Sequence, residues 1–342
     1  MTMPQFRMLY HFLALGTCSA FLTAAAPPPF LATYIHNGNF EAGDYAFIRG
    51  AFAGASTQQL ANWKALQAYG TLCMKEAAHS ENEELKKLGV NAQVDEERGY
   101  QDHLCTQIAF ASDVPANFKT WDAFHDALAR SQPYFQTYKS AVNMAVRSLD
   151  SDANKDTFEE QLTLHTVPDQ MWRFVMMGAA LNDVSGIDAA TRSALRMQSI
   201  LEGVNVDWVN SHWGRHILET QGWSPAIKAG RKPAMLMWLL VQHADEDPAF
   251  QVMALRKLEP LAKSGQFSKQ NYALLSDRVM LATTGKQHYG SQLSCRDHQL
   301  APYSMDKGGD NSKILDARRS EMNLPPEAAY IEHFRKSFPQ GC

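Results

Sequence analysis

The residues best suited to chemistry lie at the end of the most apolar stretch of the chain. Val241-Gln242-His243-Ala244-Asp245 follows Met235, Leu236, Trp238, Leu239 and Leu240. An amide and an imidazole carried into such surroundings are costly unless they find hydrogen-bond partners, so a buried polar site is expected there. An imidazole titrates near neutrality, which suits His243 to proton transfer, with Asp169 or Asp277 as the carboxylate that would orient it. The competing reading of His243 is a satisfied structural histidine.

Two further clusters pose the same problem. Asp277-Arg278 stands among Leu274, Leu275, Val279 and Met280, and Asp169-Gln170 is followed one turn later by Arg173. Arg173 and Arg278 would clamp an anionic ligand or else bridge helices as ion pairs. Gln287, Tyr289 and Gln292 offer amide and phenol groups on a glycine-containing loop, either at a pocket mouth or as ties that hold the loop down.

His212 and His216 have the four-residue spacing of helical metal ligands, with Glu219 one turn on. No glutamate follows the first histidine, so we assign no metal. The chain also lacks a phosphate-binding glycine loop, a GxSxG elbow, an HExxH pair and a CxxC pair. No cofactor is called for.

Helices must position these groups. Apolar residues recur at helical spacing over 56–78, 100–110 and 121–146, with Pro133 as an interruption. A shorter helix over 83–88 would end at Gly89. In the second half, Pro168-Asp169 reads as a helix start, Asp188 as a cap for a helix ending near Gly203, and Asp207 as the start of another reaching Thr220. Gly222-Trp223-Ser224-Pro225 reads as a stop and turn. Pro233 opens an apolar, central helix, Asp247-Pro248 caps one running to Gly265, and Ser268 caps one ending before Gly285. The polar alternation of 287–301 suggests a β-hairpin. The fold class is therefore mostly α, a multi-helix bundle with a small hairpin near 287–301.

Composition narrows the partners. The 342 residues are 45% hydrophobic and 20% charged, with a net charge of −4. Nothing resembles the basic surface that nucleic-acid binding needs. Residues 1–26 read as a signal peptide: Arg7, an apolar run over 8–21, then Ala24-Ala25-Ala26 before Pro27. Removing Arg7 with this segment takes the net charge from −4 to −5. Leu15-Gly16-Thr17-Cys18 is a lipoprotein-like alternative. The apolar run is too short for a stable membrane span. A periplasmic or secreted location follows, with cleavage near Ala26. Cys73, Cys105, Cys295 and Cys342 would remain, and pairing neighbouring segments gives 73–105 and 295–342, against four free buried thiols. The polar stretch 148–156 suggests a boundary between an N-terminal helical region, 27–150, and a C-terminal helical domain, 151–342.

Several motifs occur in a specific order. They are Asp169-Gln170-x-x-Arg173, Gly222-Trp223, Gln242-His243-Ala244-Asp245-x-Asp247-Pro248-x-Phe250-Gln251, Asp277-Arg278-Val279 and Gln287-x-Tyr289-Gly290-Ser291-Gln292, with a closing Asp316-x-x-Arg319 and 324–330. This order resembles a family of bacterial proteins known only as a domain of unknown function, over about residues 155–331. Ser224 between Trp223 and Pro225, and Ser291 in place of threonine, depart from that pattern. The resemblance implies no activity. Three readings stay open: a site for a small-molecule or peptide ligand, a hydrolase- or lyase-like enzyme using His243 as acid or base, and a non-catalytic scaffold of the cell envelope. The oligomeric state is not specified by the sequence.

Overall fold

The computed structural model describes residues 26–151, 157–176, 186–296 and 299–337. Residues 1–25 of the proposed signal segment, and the Cys342 half of the proposed 295–342 disulfide, lie outside the described residues. The fold is mostly α-helical with small hairpins, as the patterning indicates.

The N-terminal helices are α1 (Thr57–Lys87), α2 (His103–Ser112) and α3 (Trp121–Ser151). They follow a two-stranded hairpin of β1 (Ile35–His36) and β2 (Asn39–Phe40). Ser56 begins α1 with a capping box: its side chain accepts from the Gln59 N–H, while Gln59 returns a bond to the Ser56 N–H. The two segments read as 56–78 and 83–88 are this single helix. Cys73 and Cys105 are disulfide-bonded, tying α1 to α2. Phe40, Tyr45, Phe47, Phe52 and Phe124 fill the core beside them.

The rest of the chain is built along α5 (Ala189–Thr220), roughly 48 Å long at 1.5 Å per residue. Asp188 caps it as expected, accepting from the Thr191 N–H. The helix does not end at Gly203 or restart at Asp207. Gly203 is an interior contact: a Cβ there would come within 2.7 Å of Met176 at the end of α4 (Phe158–Met176). Removing the side chain lets two helices approach, and packing outweighs the local propensity for a break. Pro168 likewise lies inside α4 instead of starting it. It cannot donate to the carbonyl of Leu164, and Asn210 of α5 bonds the neighbouring His165 carbonyl at 3.2 Å.

After the short α6 (Ser224–Ala229), α7 (Arg231–His243) buries Met237, Trp238, Leu240 and Val241. Its apolar character does not make it buried on all sides, since Met235 is 46% exposed. α8 (Pro248–Lys263) and α9 (Lys269–Thr284) start at Asp247 and Ser268 as read, each cap accepting from the backbone three residues on. Gly285 ends α9 with φ +69°, a left-handed C-cap. One apolar core contains Leu85 of α1 together with Leu218, Leu240, Phe250 and Leu275.

The expected hairpin is shorter than 287–301. Among the described residues its ladder joins β3 (Leu293–Arg296) to β4 (Gln299–Pro302), antiparallel, and Gln287 makes only an isolated bridge to Met305. Before them the backbone is held by side chains: Asp277 accepts the N–H groups of His288, Tyr289 and Ser291, each at 2.8 Å. Two last helices, α10 (Ser312–Glu321) and α11 (Glu327–Ser337), pack behind this loop. Among the described residues no helix is long and apolar enough to cross a membrane.

Closing a loop of 32 residues by a disulfide removes about 3 to 4 kcal/mol of chain entropy from the unfolded state. A C73A/C105A variant should therefore melt at a lower temperature than the oxidised wild type in calorimetry. Equal melting temperatures would mean that the bond contributes nothing.

Candidate functional site

Three of the singled-out clusters converge at the C-terminal end of α7. Asp169 on α4 has a fully buried carboxylate, and His243 Nδ1 sits 2.9 Å from one of its oxygens and 3.0 Å from the other. Arg173, one turn along α4, donates from Nε to the same carboxylate at 3.0 Å, and Gln170 Nε2 donates at 2.6 Å. Arg173 then reaches α5, where its other end donates to Asp207 at 2.6 Å. Beside them, Arg278 of α9 donates to both oxygens of Asp245 at 2.6 Å. Gln251 secures the turn after α7 by donating to the Val241 carbonyl at 3.0 Å.

The orienting carboxylate for His243 is thus Asp169, and Asp277 is committed elsewhere. Asp277 and Arg278 are adjacent in sequence but do not pair, because successive helical residues point about 100° apart. Asp277 faces the 288–291 loop and Arg278 faces Asp245. Both guanidiniums expected to receive a ligand anion already have carboxylate partners, so an anionic ligand would have to compete with Asp169, Asp207 and Asp245.

Electrostatics separates the two carboxylates around Arg173. Burial opposes ionisation of Asp169, yet His243, Arg173 and Gln170 together hold it below the usual carboxylate range. Asp207 is pushed up to about 8, by burial first, with the Asp169 and Asp245 charges adding and Arg173 only partly offsetting them. Burial lowers His243 below its ordinary value, and Arg173 and Arg278 act in the same direction against the pull of Asp169. At neutral pH the imidazole is therefore uncharged. Donating Nδ1–H to the ionised Asp169 leaves Nε2 as the acceptor nitrogen. Among the described residues no hydrogen bond reaches His243 Nε2, and the side chain is 16% exposed.

Gln287, Tyr289 and Gln292 are not bonded to this cluster. Gln287 is fully buried, accepting from the Gln292 N–H at 2.9 Å and donating to the carbonyls of Gln292 and Tyr303. Gln292 donates to Ser291 Oγ at 3.2 Å, and the Tyr289 backbone is held between Asp277 and Arg319. These groups tie the loop down. His212 donates from Nδ1 to the Trp208 carbonyl and lies against the Trp208 ring, while His216 is exposed. Among the described residues one group of acids, Glu81, Glu84 and Asp247, brings ligand atoms within 4.8 Å of one another. Arg215 bonds Glu84 and Asp247, and Gln101 and the Ala249 N–H bond Glu81, so these acids are already partnered. Cavities of about 290 and 230 Å³ are lined by other residues than His243, Arg173 or Arg278.

Residues 181–339 match the model of a family described as a family of unknown function, DUF6624. No curated protein and no solved structure matches the chain. The DUF6624 match begins later than the resemblance read from residue 155. It contains Asp207, His243, Asp245 and Arg278, whereas Asp169, Gln170 and Arg173 precede it. The cluster is thus completed by α4, from outside the matched segment.

Asp207 is not among the site residues that the sequence suggests, because before Trp208 and Val209 it reads as the start of a helix. Once α5 runs unbroken, a carboxylate in its middle becomes the signal. A group whose folded pKa lies above its unfolded value binds a proton more readily when folded, so its contribution falls as pH rises between the two values. Asp207 should therefore cost the wild type stability as pH rises from about 4 to about 8. Asp207→Asn removes that titration and keeps an acceptor for Arg173. Its melting temperature relative to wild type should rise across this window. A difference that is flat with pH would contradict the assignment.

Proposed function

We propose that the chain is an exported protein whose α4–α5–α7–α9 cluster binds a small polar ligand or peptide, with His243 Nε2 exchanging a proton with the bound group. The observation that carries this reading is the Asp169–His243 pair: a buried carboxylate fixes Nδ1 while Nε2 stays open beside Arg173 and Arg278. A purely structural histidine would ordinarily have both nitrogens satisfied. Two buried polar atoms of the same neighbourhood, Gln242 Oε1 and Arg278 Nε, have no partner either.

A second reading, a hydrolase- or lyase-like enzyme, is favoured by the opposed tuning of its acids. Burial draws His243 down, which suits a base, and pushes Asp207 up, which suits an acid, so the two groups are tuned in opposite directions. The export half of the proposal rests on the leader pattern of 1–26 and the Cys73–Cys105 disulfide, which suits an oxidising compartment. N-terminal sequencing of the mature protein is expected to begin at Pro27.

His243→Gln keeps a side-chain donor for Asp169 and should fold. A set of small amides, alcohols and amines titrated against wild type should include compounds that shift the His243 imidazole resonances. Their affinity should fall about tenfold in His243→Gln, the effect of one lost hydrogen bond. If nothing perturbs those resonances and His243→Gln merely melts early, His243 is core architecture.

A further inference from the structure

We propose that Glu81 is a proton-operated clamp: holding a proton, it fastens α1 to the start of α8, and on losing it the two come apart locally. This goes beyond the ligand-site reading and does not depend on it. Glu81 is 1% exposed and ties the N-terminal helices to the C-terminal ones. One carboxyl oxygen accepts from the Ala249 N–H, in the first turn of α8, at 2.6 Å. The other accepts from Gln101 Nε2 at 2.7 Å. The same seam continues on either side of this bond. The Tyr100 N–H donates to Glu246 at 3.1 Å, Arg98 lies 3.5 Å from that carboxylate, and Arg215 of α5 joins Glu84 to Asp247.

The kind of partner it has sets Glu81 apart. Glu84, Glu246 and Asp247 each have an arginine within ion-pairing distance, whereas among the described residues no cation comes so near Glu81. Its donors are a neutral amide and a backbone N–H. The charges facing it are mostly of its own sign: Glu84 from α1, Glu246 and Asp247 from the turn before α8, and Glu219 of α5 beyond Arg215. Lys87 of α1 stands at the wall of an adjoining cavity, and the phenol of Tyr100 faces the carboxyl from the loop before α2. That cavity, about 230 Å³, also borders Ala249, whose N–H the carboxyl accepts. A carboxyl buried among acids, with no cation of its own, favours the protonated form. Burial, and next the charge of Asp247, push Glu81 up to about 7 against the pull of Gln101 and the Ala249 N–H. The closed seam therefore keeps a proton that an open one would release. Its hold is full in acid and is lost as the pH rises towards about 7. Leu85 and Phe250 share one apolar core across the seam, so the helices stay packed and the release is local.

Hydrogen exchange of the full chain, read by NMR at the Ala249 amide, tests the clamp. The protection factor of that amide should fall by up to about tenfold per pH unit between about pH 5 and about pH 7, then level off. Glu81→Gln stays neutral at every pH and keeps an acceptor for Ala249, so it should lose most of that slope. Should the variant fail to fold, the wild-type amide decides alone: its chemical shift is expected to titrate with a midpoint of about 7. A shift that stays constant through that range overturns the proposal. So does a protection factor indifferent to pH, or an equal slope in wild type and Glu81→Gln.

Discussion

A carboxylate with no solvent exposure at all must be compensated or protonated, and Asp169 is compensated. It receives the imidazole of His243, the guanidinium of Arg173 and the amide of Gln170. Taking a carboxylate out of water costs far more than one hydrogen bond returns, so the partners cannot leave singly without stranding a charge. That requirement joins α4 to α7 through His243 and to α5 through Arg173 and Asp207. It also decides the chemistry, because the ionised acid at Nδ1 turns Nε2 into the free lone pair. The neighbouring Asp245–Arg278 pair brings α9 to the same place.

Asp277 shows a contrasting use of a buried acid. Three backbone N–H groups converge on it, and from the other side Arg319, also fully buried, donates to the carbonyls of Tyr289 and Gly290. The ring of Tyr330 covers that guanidinium at 4.7 Å. A segment without regular secondary structure still needs its backbone groups satisfied, and here charged side chains do it. Asp277 and Arg278 are thus consecutive residues with separate duties: one fixes the loop after α9, the other faces the His243 cluster. The 287–292 segment resembles a ligand loop in composition but is occupied with holding itself in place.

Much of the architecture is written in local signals. Asp188, Asp247 and Ser268 cap the helices they were expected to cap, because each side chain accepts from a backbone N–H three residues away. Gly203 and Pro168 misled for the complementary reason: their local meaning is a break, and the packing of α4 against α5 gives them another. The polar clusters were recognisable as groups that burial would force into partnership. Which partner each would take was not, since helical spacing fixes the face of a residue but not the helix opposite. His243 with Asp169 was one of two readings, while Arg278 with Asp245, and Asp207 altogether, depended on how the helices cross.

The most direct test of this account is the protonation pattern of the His243 ring, read from its two nitrogen chemical shifts at neutral pH in wild type and in Asp169→Asn. The account predicts a neutral ring with the proton on Nδ1 and a bare Nε2 in wild type, and loss of that fixed tautomer when the Asp169 charge is removed. A ring protonated on Nε2, or a mixture indifferent to the substitution, would contradict it.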